Sequence, residues 1–319
     1  MPDRPPLKLF AGTANRALAE SVSRHLDTPL GALVVERFPD SEICVHFDES
    51  VRGAEVFVLQ PTCPPIETHL LELLMILDAL KRASAECVTC VVPYYGYARQ
   101  ERKGTPREPI TAKLIADLLT TAGANRILTM DLHAGAIEGF FDIPVDHLTA
   151  VGVIGDYLVK KGFAERSDVV VVSPDEGRVK TVRRLAGRLN APLAVGYKVH
   201  PEAGVSEITG LAGDVRGKTC VVYDDIISTG GSITEIIDAL IENGARPEIT
   251  VACTHPVLAG PCVSRLTRPE IAELIVTDTI ALSAEKQRDH FTVISAAPLI
   301  ARAIRNIWMD ESVSSLSLD

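Results

Sequence analysis

Apolar residues fall along this chain in short runs that alternate with stretches of helical spacing. "KLFAG" (8–12) reads as a strand and is followed by a helical pattern over about 14–26. "EVFVLQ" (55–60) is a second strand, and "ETHLLELLMILDALKRA" (67–83) an apolar helix with a basic last turn, as the helix dipole favours. "CVTCVVPYY" (87–95) and "RILTMDLH" (126–133) predict strands around the helix "TAKLIADLLTTAG" (111–123), which Gly123 would cap. The later half repeats the alternation. "DVVVVSPDEG" (168–177) opens on a continuous β-branched run, as expected for a strand buried on both faces. A basic helix over about 177–189 follows, then strand "TCVVYDD" (219–225) and helix "SITEIIDALIENGA" (232–245). "EITVACTH" (248–255) and "ELIVTDT" (273–279) complete the set.

Strands alternating with helices predict an α/β protein with parallel-type sheets flanked by helices. The 319 residues suffice for two ordinary domains, and no exact repeat or low-complexity linker interrupts them. Two successive α/β series predict two similar domains, 1–150 and 151–319, with the last helix packing back on the first.

Composition narrows the function classes. No apolar run reaches the roughly 18 residues of a membrane span, and the start "MPDRPPLKLFAG" lacks a secretory pattern. Seven cysteines at irregular spacing do not form a disulfide framework and suit a reducing cytoplasm. Cys87 and Cys90 form a C-x-x-C without a second pair or a nearby His, inside an apolar run, so they read as core residues. A formal net charge of −10 argues against a general nucleic-acid binder but leaves room for a local basic pocket.

The chemistry concentrates in "VVYDDIISTGGSI" (221–233). An apolar strand ends in Asp224 and Asp225, and Ser228 and Thr229 lead to Gly230 and Gly231. Ser232 with Glu235 forms a capping box that predicts a helix start. A glycine turn at a helix amino end is an anion cradle, because backbone N–H groups approach a phosphate without Cβ obstruction. Carboxylates beside such a cradle repel a phosphate unless they bind its hydroxyls or a cation. A sugar phosphate fits both halves. "GDVRGKT" (213–219) is not a P-loop: its first glycine is one residue too close and it precedes a strand.

"VVYDDIISTGGS" resembles the phosphoribosyl-diphosphate binding motif shared by phosphoribosyltransferases and ribose-phosphate diphosphokinases. Four further stretches, in order along nearly the whole chain, resemble the diphosphokinases. The resemblance implies a phosphoribosyltransferase-like fold. It assigns Phe38, Asp40, Ser41 and Glu42 of "RFPDSEICVHFDESVRG" (37–53) to ATP. Arg99, Gln100 and Arg102 of "PYYGYARQERK" (93–103) take the same role, and an arginine fork matches phosphate oxygens. His133 and Asp175 are implied as magnesium-associated. If the strand geometry persists to residue 133, Asp131 and His133 point the same way. Ribose 5-phosphate is assigned to Asp224, Asp225, Ser228, Thr229, Gly230, Gly231 and Ser232. The implied reaction moves the β,γ-diphosphoryl group of ATP to ribose 5-phosphate in a cytoplasmic, dimer-based homo-oligomer, with hexamers common in the family. Neither nucleic acid nor membrane is an implied partner.

Two positions depart from the family pattern. In "YKVHPEAGVSEITGLAGD" (197–214), which reads as a polar lid, Lys198 matches the catalytic lysine but His200 stands where the family has arginine. Lys180, Arg183 and Arg184 are candidates to compensate. Ser228 stands where many members have an acid. Two other readings therefore stay open at this point: a non-catalytic relative that binds substrates or partner subunits, and a phosphoribosyltransferase.

Overall fold

The computed structural model describes the backbone of residues 4–202 and 205–317, with side chains except those of 198–202, 205–209 and 317. The first series of elements is β1 (Leu7–Ala11), α1 (Arg16–Leu26), β2 (Leu33–Arg37), β3 (Ile43–Phe47), β4 (Glu55–Leu59), α2 (Ile66–Arg82), β5 (Cys87–Val92), α3 (Thr111–Ala122), β6 (Arg126–Met130) and β7 (Val145–Leu148). The second is α4 (Val151–Lys160), β8 (Val169–Ser173), α5 (Val179–Arg188), β9 (Leu193–Glu202), β10 (Val205–Ala212), β11 (Thr219–Ile227), α6 (Gly231–Glu242), β12 (Ile249–Pro256), α7 (Cys262–Leu266), β13 (Ile271–Thr277), β14 (Phe291–Ile294) and α8 (Ala297–Trp308).

The chain divides into two compact units. One comprises Met1–Thr149, Thr279–Ala281 and Ser295–Asp319; the other comprises Ala150–Asp278 and Leu282–Ile294. Each is an α/β body on a parallel-sheet core.

In the first unit the sheet runs β1-β4-β5-β6-β7, all parallel. The spacing of α2 explains why it forms and where it sits. Leu70, Leu73, Ile76, Leu77 and Leu80 recur on one helical face and are all buried. Each such side chain contributes roughly 1.5–3 kcal/mol on leaving water. They pack with Val56, Val58, Val88 and Cys90 of the sheet and Ala112, Ile115 and Leu119 of α3. Gly123 caps α3 at φ +130°, its N–H reaching Leu119 O at 3.3 Å. α8, which starts with Pro298 in its first turn, lies against α1. Arg305 Nη2 donates to Leu26 O at 3.4 Å and Trp308 Nε1 to Pro5 O at 3.0 Å. Outside the sheet, β2 and β3 form an antiparallel hairpin.

In the second unit seven strands run β10-β9-β8-β11-β12-β13-β14. All neighbours pair in parallel except β10, which pairs antiparallel to β9. The stretch expected as a polar lid is thus largely a two-stranded arm. The core joins Val170, Val172, Val222 and Val251 of the sheet to Ile233, Ile236, Ile237 and Leu240 of α6. All seven cysteines are free thiols. Cys87 and Cys90 stand three residues apart on β5, hence on opposite faces, and burial pushes the Cys90 thiol far up.

Candidate functional site

In open α/β sheets, ligands bind outside the carboxyl ends of the parallel strands. Each unit places part of its sequence-predicted set there: Arg99, Gln100, Arg102 and His133 follow β5 and β6, and Asp175 and the Asp224–Ser232 stretch follow β8 or lie along and after β11.

In the first unit, the segments after β5 and β6 enclose a cleft of about 500 Å3. Arg99, Gln100, Glu101, Arg102, Gly104, Glu108, Pro109 and His133 line it. Arg99, Gln100, Arg102 and His133 were expected from sequence; Glu101 and Glu108 were not. Gln100 is positioned from α3, because the Thr111 hydroxyl donates to its Oε1 at 2.5 Å and Ala112 N–H reaches its carbonyl at 3.2 Å. Glu108 organises the loop as an anchor for N–H groups. It accepts from Gly104 N–H at 2.8 Å, Thr105 N–H at 2.9 Å and the Thr105 hydroxyl at 2.7 Å. Those hydrogen bonds, the Thr105 hydroxyl first, hold its carboxyl below the usual range. Arg102 is 86% exposed, with only a loose 3.6 Å approach to Glu101. It is free to swing toward an anion.

The loop carrying His133 departs from the expected strand geometry. β6 ends at Met130, and Asp131 turns through φ +38° while staying buried. Aspartate tolerates this left-handed region better than most residues. Asp131 and His133 therefore do not alternate as strand neighbours. The turn is pinned from β7. His147 Nε2 accepts from Leu132 N–H at 2.8 Å, and its Nδ1 faces Glu138 Oε1 at 2.6 Å. The first bond sets the tautomer, leaving Nδ1 to donate.

Phe38, Asp40, Ser41 and Glu42 lie at the tip of the β2–β3 hairpin and are not among the residues that line the cleft. Phe38 is 52% exposed. The tip is a tight turn: Phe38 N–H donates to Glu42 O at 2.9 Å, Ser41 N–H to Phe38 O at 2.8 Å, and Ser41 adopts φ +77°. Asp40 Oδ1 accepts from Glu42 N–H at 3.2 Å.

In the second unit, Asp175 follows β8, and the adjacent strand β11 carries Asp224 and Asp225. β11 runs on to Ile227, so both acids sit inside the strand and are buried, at 9% and 4% exposure. Asp225 N–H donates to Asp224 Oδ1 at 2.9 Å. Burial, then the neighbouring charge of Asp225, pushes the Asp224 carboxyl well above the usual range, while Arg178 pulls against them. Arg178 lies against both acids, with Nη2 2.9 Å from Asp225 Oδ2 and Nε 3.9 Å from Asp224 Oδ1. Sequence reasoning missed it; the basic candidates Lys180, Arg183 and Arg184 are exposed on α5 instead.

The turn after β11 is held from behind. Leu258 N–H donates to Ile227 O at 3.0 Å, Ala259 N–H to Ser228 O at 2.8 Å and Arg265 Nη1 to Thr229 O at 3.0 Å. With these carbonyls taken on one side, the turn is fixed ahead of α6. The helix begins two residues earlier than the capping box predicts. Gly230, at φ +77°, is its N-cap, and Thr234 N–H closes the first turn onto Gly230 O at 3.0 Å. A left-handed cap residue suits glycine, so Ser232 falls within the first turn. The first N–H groups of α6 lack intrahelical acceptors and carry the positive end of the helix dipole. They form an anion cradle beside Thr229 and Ser232.

Asp175 Oδ1 is buried and has no hydrogen-bond partner. A bare buried carboxylate oxygen is costly unless a cation takes it. Among the described residues no group of three or more His, Cys, Asp or Glu side chains gathers to hold a metal. Magnesium usually relies on one or two carboxylates, water and substrate phosphates, so sparse ligation fits it. Lys198 and His200 belong to β9 by backbone, but their side chains lie outside the described residues.

Acids on a central parallel strand, running into a glycine-capped helix, define an α/β protein of phosphoribosyltransferase-like fold. Residues 7–123 match the N-terminal domain of ribose phosphate pyrophosphokinase, and residues 201–317 match the phosphoribosyl synthetase-associated domain. The ribose-phosphate pyrophosphokinase of Bacillus cereus is 49% identical over 310 residues, covering 97% of this chain and 96% of its own. That of Clostridium tetani is 49% identical over 314 residues, covering 98% of each. The crystal structure of phosphoribosylpyrophosphate synthetase from Mycobacterium smegmatis superposes with a TM-score of 0.89 at 44% identity, covering 96% of this chain and 99% of that one. The chain belongs to the ribose-phosphate pyrophosphokinase family.

Proposed function

We propose that this enzyme transfers the β,γ-diphosphoryl group of ATP to the 1-hydroxyl of ribose 5-phosphate, giving 5-phosphoribosyl 1-diphosphate and AMP. The observation that carries the reading is the acid pair of β11 leading into the Gly230-capped helix. One element offers acceptors for pentose hydroxyls and the other offers donors for a phosphate. The second unit is read as the ribose-phosphate domain. Asp224 and Asp225 take the pentose hydroxyls, and Ser228, Thr229, Gly230, Gly231 and Ser232 take the 5-phosphate.

The first unit is read as the ATP-side domain. Arg99 and Arg102 face the triphosphate, where a guanidinium fork matches two phosphate oxygens at once, and Gln100 fixes the nucleotide's orientation. Phe38, Asp40, Ser41 and Glu42 are read as adenine contacts. Their hairpin tip is exposed, which suits an ATP site completed across subunits of a dimer-based homo-oligomer.

In the reaction the ribose O1–Pβ bond forms and the bond from Pβ to the α,β-bridging oxygen breaks. The electron pair leaves with AMP, and the hydroxyl proton passes to solvent. Such transfer depends on alignment and charge neutralisation more than on covalent chemistry. Lys198 is read as neutralising the leaving oxygen, with His200 beside it in the arm. Asp175 and His133 would each offer a ligand to magnesium, which when bound would neutralise phosphate charge. Among the described residues no helix is long and apolar enough to cross a membrane. The cytoplasm, where both substrates occur, is the proposed site of action.

The test is AMP formation from ATP, ribose 5-phosphate and magnesium. AMP production that requires both substrates supports the reading. Intact binding of both without turnover would favour a non-catalytic subunit. Turnover of phosphoribosyl diphosphate with a free base, and none with ATP, would favour a transferase.

A further inference from the structure

We propose that Arg178 is the standing counter-cation of the pentose end of this site, so that the chain binds ribose 5-phosphate without a divalent cation. The inference rests on the reading that Asp224 and Asp225 take pentose hydroxyls. Three carboxylates, Asp175, Asp224 and Asp225, stand on the neighbouring strands β8 and β11 or just past them. A sugar phosphate adds further negative charge to that region. Without a local cation, the acids that should hold its hydroxyls repel its phosphate.

Arg178 supplies that cation from within the chain. It ends the single turn Glu176–Arg178 and directly precedes α5, so its backbone is anchored between Asp175 and a helix. Its side chain is only 12% exposed. Nη2 sits 2.9 Å from Asp225 Oδ2 while Nε lies 3.9 Å from Asp224 Oδ1, so one planar group serves both acids. A guanidinium does not lose its proton in a protein, whereas a divalent ion dissociates. An ionised carboxylate has about four acceptor positions, so pairing with a guanidinium does not by itself exhaust an acid's capacity for hydroxyls. Asp175 is treated differently: its Oδ1 stays without a partner. The cation work is thereby divided, with Arg178 serving the acid pair and Asp175 remaining open to a metal. This arrangement also explains why a basic residue ends the turn, where the sequence shows only the start of a basic helix.

The test is calorimetric titration of ribose 5-phosphate into the intact protein, without nucleotide, in excess EDTA and again in magnesium. The wild type is expected to bind with affinities within about twofold of each other. Arg178→Gln is expected to bind about tenfold or more weakly in EDTA and to recover in part with magnesium. Arg178→Lys, which keeps the charge, is expected to retain most of the metal-free affinity. Thermal melting shows whether each variant folds. If Arg178→Gln does not, the wild-type comparison alone decides. Wild-type binding that strengthens tenfold or more with magnesium overturns the inference. So does an Arg178→Gln variant that binds in EDTA as tightly as the wild type, or more tightly. A wild type that binds ribose 5-phosphate in neither condition, yet turns over a different substrate, overturns the pentose-phosphate reading itself and the inference with it.

Discussion

The backbone N–H of Asp225 donates to Asp224 Oδ1 at 2.9 Å, so the two acids of β11 form one bonded unit inside the sheet. Burial and the adjacent Asp225 charge raise the Asp224 carboxyl well above 3.8. A raised folded-state value means full stability below the unfolded pKa and a loss as pH rises through the folded one. Asp224→Asn keeps an acceptor at Oδ1 and removes that loss. Its melting temperature is expected to exceed the wild type's by more at pH 8 than at pH 4. Turnover moves the other way. Hydrogen bonds to charged groups contribute about 1.5–3 kcal/mol, a loss of roughly 10- to 100-fold in kcat/KM for ribose 5-phosphate. Melting curves at the two pH values and steady-state kinetics check both halves.

The phosphate turn depends on a backbone conformation that only glycine takes freely. Gly230 lies at φ +77°, and a Cβ there would fall 3.1 Å from Cys262 Sγ. A side chain in the left-handed region costs about 1–2 kcal/mol. Gly230→Ala is expected to lower the melting temperature by about 3–6 °C. It is also expected to raise KM for ribose 5-phosphate while leaving KM for ATP near the wild-type value. Unchanged ribose 5-phosphate kinetics would detach this turn from the substrate.

Much of this architecture is legible in the sequence, and the exceptions have physical causes. Buried parallel strands announce themselves as β-branched runs, and "DVVVVSP" yields β8 within a residue of its start. α4 is harder to read because Gly152 and Gly155 weaken its pattern. Gly155 is there for packing, since a Cβ would fall 2.5 Å from Arg188 Cδ. The β2–β3 hairpin is two short, half-buried strands whose pairing no local pattern encodes. Among site residues, Asp224, Asp225 and the glycines stand out because acids beside a phosphate cradle demand an explanation. Arg178 does not, because it opens a basic run with Lys180, Arg183 and Arg184 that reads as a solvated helix face. Only the pairing of β8 with β11 turns it onto the acids.

The arm formed by β9 and β10 carries the departure at His200. A preorganised donor typically contributes about 10²–10³ in rate. Lys198→Ala is expected to remove most turnover while leaving ATP binding intact, measured by steady-state assay and nucleotide titration. His200→Arg restores a permanent charge and a forked donor, and is expected to preserve or raise kcat. A sharp fall in kcat would show that this arm works on another principle.

Away from the site, Asp168 anchors the foot of β8. Arg166 donates to both its oxygens at 3.0 Å and Arg246 reaches Oδ2 at 2.5 Å. The hydrogen bonds from Arg166, assisted by the charges of both arginines, lower its carboxyl to about 2. A depressed folded-state value gives stability that is present above 3.8 and lost as pH falls toward about 2. Wild-type melting temperature is expected to fall more steeply between pH 4 and pH 2 than that of Asp168→Asn. Parallel slopes would show that the cluster does not contribute.

The most direct measurement follows the oxygen that attacks. Ribose 5-phosphate labelled with 18O at the 1-hydroxyl is incubated with ATP and magnesium, and the products are read by 31P NMR. Direct attack at Pβ of ATP predicts an isotope-shifted resonance for the phosphorus bonded to the sugar in the diphosphate product, together with unlabelled AMP. Label in AMP, or ADP formed in place of AMP, would contradict diphosphoryl transfer.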